Sequence, residues 1–159
     1  MIPISDKLAS MLNEQIGREI GNSHLYKIFS SWCHIRGLKN IEKFFAGEAE
    51  GEMVHAKLIS DLLSDGNVQI VIPAIEQKPH EFDSCEKIAD LYVSAEAETT
   101  EHLEDIYQEA ESETAVGVSN LLQSLLQEQI EEEGTADRMA RLVSESGGNL
   151  LLLDLIFEK

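Results

Sequence analysis

Glu52-Met-Val-His55 places a carboxylate and an imidazole three residues apart, and its reading decides the fold. In a helix that spacing stacks both side chains on one face. Stepping by threes and fours gives Ile41, Phe45, Glu48, Glu52, His55, Ile59 and Leu62. The row is apolar at its ends and polar in its middle. Burying a carboxylate without a partner costs several kcal/mol, on the order of the desolvation penalty. Something in the core must therefore meet Glu52 and His55, and a metal ion is one such partner.

Three further rows repeat the interruption. One is Leu8, Leu12, Gln15, Glu19, Asn22, Tyr26, Phe29 and Cys33. Another is Cys85, Ala89, Tyr92, Glu96, Thr99, Leu103, Ile106 and Ala110. The last is Leu122, Leu125, Gln129, Glu132, Ala136, Met139 and Val143. Helices of about 30 residues span roughly 45 Å. Packed side by side, they bring Glu19, Glu52, His55, Glu96, Gln129 and Glu132 to one height. A single acid on an apolar stripe usually reaches water at the stripe's edge. Four stripes with coincident central acids point instead to a metal site, built from inward residues of facing helices.

With 159 residues and 43% hydrophobic content, the chain suits one domain with a sizeable core. Its 30 acids against 12 bases give a net charge of -18, which repels nucleic acid and concentrates cations. No apolar run reaches the roughly 18 residues that span a bilayer. The start, Met-Ile-Pro-Ile-Ser-Asp, lacks the basic and apolar stretches of a signal peptide, so a cytoplasmic location is expected. Cys33 and Cys85 fall on inward stripes without a CxxC, which reads as two buried reduced thiols.

The three prolines, Pro3, Pro73 and Pro79, leave the long stripes unbroken. The expected fold class is all-α, with helices over about 6–35, 39–64, 84–112, 115–145 and 149–158. Ser5 or Asp6 would cap the first, and Asp83-Ser84 the third. Asp65-Gly66-Asn67 stops the second. Residues 66–83 read as an extended crossover that lets the second and third helices lie parallel, an up-down-down-up bundle. The short fifth segment, with Leu150 to Leu153 and Ile156, is expected to pack on a neighbour. Gly17 with Gly21, and Gly47 with Gly51, have the G-x-x-x-G spacing of close helix contact.

The order Glu, Glu-x-x-His, Glu, Gln-x-x-Glu on successive helices resembles the bacterial non-haem ferritins. So do Leu12-Asn-Glu-Gln15 before Glu19, Leu25-Tyr26 after it, Ser31-Trp-Cys33, and Glu128-Gln-Ile-Glu-Glu-Glu133. The resemblance covers essentially the whole chain and implies a ferritin-like four-helix bundle with a short fifth C-terminal helix. It also implies ferroxidase activity at a di-iron centre, oxidising Fe(II) to Fe(III) with O2 or H2O2, and mineral storage inside a homo-oligomeric 24-subunit shell. Carried over by position, Glu19, Glu52 and His55 would hold one iron. Glu52 would bridge to another held by Glu96 and Glu132, with Gln129 beside it and Tyr26 nearby.

The matching pair on the fourth helix is Gln129 and Glu132, without the second Glu-x-x-His of bacterioferritins. No haem is therefore expected, although Met53 stands where they carry their haem ligand. Gly51 occupies the position of an acid that many bacterial ferritins use at a third iron site, leaving Glu128 and Glu131, with Glu48, as candidates there. Ser119 and Leu122 stand where animal ferritins place pore acids, which puts that iron route in doubt. Two other readings compete. One is a di-iron peroxidase of rubrerythrin type without storage, and the other is an acidic helical interaction module without metal.

Overall fold

The computed structural model describes residues 3–157. Five helices follow in order: α1 (Asp6–Ile35), α2 (Lys39–Asp65), α3 (Cys85–Ser112), α4 (Val116–Glu145) and α5 (Leu150–Ile156). Three of the five helix starts carry small polar caps. Ser5, Ser84 and Asn149 accept hydrogen bonds from the backbone N–H groups of Leu8, Lys87 and Leu152. Ser84 is thus the cap expected from the Asp83-Ser84 pair, while Asn149 is a cap where the sequence reading began the fifth helix. The expected end of the fifth helix, at 158, lies outside the described residues.

A three-residue turn joins α1 to α2, so the two run antiparallel. Its pivot is Gly37, whose φ of +72° is left-handed and free of Cβ crowding. A similarly short turn folds α4 back along α3. The start of α2 has no side-chain cap of its own. Asp154 of α5 supplies one, its Oδ1 accepting from Asn40 N at 2.9 Å and Ile41 N at 3.0 Å.

The crossover ties the hairpins together. Val71 N donates to Asn13 Oδ1 at 2.8 Å, and Trp32 Nε1 donates to the Phe82 carbonyl at 3.2 Å. Between these points the chain lies along α1 and travels in its direction. It therefore delivers α3 to the end of the bundle where α2 began, and α3 runs parallel to α2.

Gly17 and Gly21 serve this strap and not a helix pair. A Cβ on Gly17 would stand 2.4 Å from Pro73 Cγ, and one on Gly21 would stand 3.0 Å from Lys78 Cε. Gly47 and Gly51 meet nothing within 4 Å of such a Cβ, so close contact within the chain does not account for them.

The interior divides in two along the bundle axis. One apolar cluster gathers Leu8, Leu12, Ile59, Leu63, Leu103, Ile106 and Leu122. The other gathers Tyr26, Phe29, Phe45, Ile88, Tyr92, Met139 and, from the C-terminal end, Leu153 and Phe157. Phe44 and Phe157 meet edge to face at 5.0 Å, which seats α5 on α2. No described helix is long and apolar enough to cross a membrane.

Candidate metal centre

Between the two apolar halves every long helix contributes polar side chains at one level. Gln15, Glu19, Asn22, Glu52, His55, Glu96, Thr99 and Gln129 are all buried there, and Glu132 is half-buried. The period of 3.6 that faces Leu12 and Phe29 inward faces Glu19 inward as well. Burial of these groups follows from helix geometry; their stability must come from partners.

Glu19, Glu52 and His55 each offer a ligand atom within 4.8 Å of the others. His55 Nδ1 stands 3.6 Å from Glu52 Oε2 and 3.9 Å from Glu19 Oε2. Those two oxygens are buried and accept no hydrogen bond, although Glu19 Oε1 takes one from Gln15 Nε2 at 2.7 Å. Buried acceptors normally have a donor. Two buried carboxylate oxygens without a donor stand beside an imidazole nitrogen, and this O2N donor set suits Fe(II), Zn(II) or Mn(II). The other ring nitrogen, Nε2, lies 3.1 Å from Glu128 Oε2. A carboxylate there fixes the proton on Nε2 and leaves Nδ1 free to bind a metal.

Glu96 occupies the opposite side. Its Oε1 accepts from the Tyr26 hydroxyl, and its Oε2 accepts from Gln129 Nε2 at 3.1 Å. Gln129 Nε2 also lies 3.2 Å from the Glu96 carbonyl and 3.3 Å from Thr100 Oγ1. Glu96 and Glu132 stand outside the tight Glu19, Glu52 and His55 group, so this arrangement gathers one metal-binding half and leaves the other spread. Each Glu96 oxygen keeps a second lone pair for a cation.

The electrostatics are those of several acids crowded into one buried layer. Burial pushes the Glu52 carboxyl up to about 8. Burial likewise raises Glu19, with Glu52 adding to the rise, and raises Glu96. Glu132 is lifted to about 7 by burial and then by the nearby Glu96. Burial disfavours the His55 cation, but Glu19, Glu132 and Glu128 outweigh it and the group ends raised.

The three third-site candidates do not gather with one another. Glu128 is at His55, Glu48 Oε2 accepts from the Tyr92 hydroxyl at 2.8 Å, and Glu131 is exposed. Asn22 donates to Thr99 Oγ1 at 3.0 Å across α1 and α3. Both stood on the inward rows, yet no one-dimensional signal pairs them, because the pairing depends on the register between helices.

A profile of the Ferritin family, described as the ferritin-like domain, matches residues 9–148. The chain is 28% identical over 155 residues to a probable bacterial non-heme ferritin-like protein of Haemophilus influenzae, covering 95% of this chain and 93% of the relative. It is 27% identical over 155 residues to a bacterial non-heme ferritin of Campylobacter jejuni, covering 95% and 92%. Among solved structures, an open pore ferritin from the archaeon Archaeoglobus fulgidus superposes with a TM-score of 0.93 at 28% identity, over 99% of this chain and 98% of that one.

Proposed function

The chain belongs to the ferritin-like domain family, and from that membership we propose that it is an iron-storage protein that oxidises its own cargo. Fe(II) is the substrate. Glu19, Glu52 and His55 bind one ion, and Glu52 bridges to a second held by Glu96 and Glu132, with Gln129 beside it. Two Fe(II) ions give up two electrons. With two protons these reduce one O2 to H2O2, or one H2O2 to two waters. Fe(III) then leaves to mineralise inside a homo-oligomeric 24-subunit shell. A cytoplasmic location fits this reading.

The observation that carries the proposal is the pair of bare buried oxygens, Glu19 Oε2 and Glu52 Oε2, facing His55 Nδ1. A cation there satisfies all three and removes the desolvation penalty that raises the carboxyls. The chain's own groups do the rest. Glu128 holds the imidazole with Nδ1 inward. Tyr26 and Gln129 orient Glu96 from two sides. Carboxylates, being hard ligands, favour Fe(III) over Fe(II) and so promote the oxidation.

Anaerobic titration with Fe(II) is expected to saturate near about two ions per chain, as in di-iron bundles. Glu52→Ala is expected to keep the assembly folded and to slow the first oxidation, followed by rapid-mixing absorbance, by about tenfold or more. Saturation well below that stoichiometry refutes the two-ion site. Wild-type rates in the variant refute the bridging role.

A further inference from the structure

A small cavity opens on the α1–α3 side of the bundle, beneath the crossover, with a volume of about 60 Å³. Its floor is Asn22 and Thr99, the hydrogen-bonded pair at the level of the metal centre. Both are buried, and each stands one helical turn beyond a candidate ligand, Asn22 after Glu19 and Thr99 after Glu96. One layer of side chains therefore separates this cavity from the candidate iron ligands. The mouth carries Arg18, Lys78 and His102 against Glu98. In a chain of net charge -18, that is a locally basic spot.

We propose that this cavity admits the neutral oxidant, O2 or H2O2, to the centre, while Fe(II) reaches it by another route. Space and charge lead to the same assignment. The cavity has room for a few water-sized molecules. Arg18 and Lys78 also repel a dication, while a neutral molecule passes them without cost. The floor is polar and hydrogen-bonded, so it can rotate open without exposing apolar core. Two carboxamide and hydroxyl groups can hand H2O2 inward by exchanging hydrogen bonds, and O2 needs only the space.

The inference rests on the ferroxidase reading, and the test separates the two. Ala95 lines the cavity and is half-buried. Ala95→Val and Ala95→Leu fill it by steps, and the smaller change guards against loss of folding. Wild type and variants are loaded anaerobically with Fe(II), then mixed with O2 or with H2O2 in separate runs. The expected result is a graded fall in oxidation rate, about tenfold for Leu, with the association rate and stoichiometry of redox-inert Co(II) unchanged. A fall with only one oxidant assigns the path to that molecule. Equal fast oxidation in all three proteins overturns the passage alone. Slowing of Co(II) association by the same factor also overturns it, by assigning the path to metal. Wild-type oxidation no faster than free Fe(II) overturns the ferroxidase reading and the passage with it.

Discussion

Glu52 shows how a single residue couples the site to stability. Its carboxyl has an ordinary value of 4.5, and burial, which disfavours the anion, raises it to about 8 in the folded protein. Between those values the folded state holds more protons than the unfolded state. Its stabilising contribution is therefore complete below about 4.5 and is lost as pH rises through about 8. The raised His55 contributes in the same direction. Metal-free protein is accordingly expected to melt at a lower temperature at pH 8.5 than at pH 5.5. Zn(II), which needs the deprotonated ligands, restores more at the higher pH. Glu52→Gln should flatten the dependence, as followed by calorimetry of chelator-treated protein. An equal slope in the variant would show that overall charge repulsion, not this carboxyl, sets the trend. The inward position of Glu52 is legible from the row running Phe45 to Ile59. The bond between His55 and Glu128 is not, since Glu128 sits on an exposed turn of α4 and only the packing of α2 on α4 brings them together.

At the level of whole elements, the four long helices were readable because each has one unbroken apolar row and polar punctuation at its ends. The contributions of the connecting segments were not. Gly17 and Gly21 read as helix–helix notches, but the strap that fills them lies more than fifty residues away in sequence. The fifth helix was legible as a short apolar helix, but its acid's role in capping α2, 114 residues away, was not. Asp154→Ala removes the acceptor for Asn40 N and Ile41 N. It is expected to cost about 0.5–2 kcal/mol, the usual value of a helix cap. In a protein of this size that lowers the melting temperature by roughly 2–4 °C per kcal/mol. Asp154→Asn should recover part of the loss. A variant as stable as wild type would show that the α2 start is satisfied by water.

Taken as a whole, the molecule presents more apolar surface than its core requires. Leu151, Leu152, Leu155 and Ile156 of α5 are between 44% and 70% exposed. Such a patch is expected to be covered by another copy. Light scattering on the purified protein should therefore give a mass many times the 17.7 kDa of one chain, in keeping with a shell. A dimer would remove the cavity that storage requires and return the peroxidase reading.

The centre also straddles the seam between two helix pairs. Glu19, Glu52 and His55 stand on α1 and α2, while Glu96, Gln129 and Glu132 stand on α3 and α4. Tyr26 to Glu96, Asn22 to Thr99 and His55 to Glu128 already stitch the pairs together at that height. A bound ion pair would act as the clasp on this seam. Sliding one pair past the other by a single turn, about 5.4 Å, would separate every donor from its counterpart. Affinity for a cation at that level would in that sense gauge how truly the two halves of the bundle are aligned.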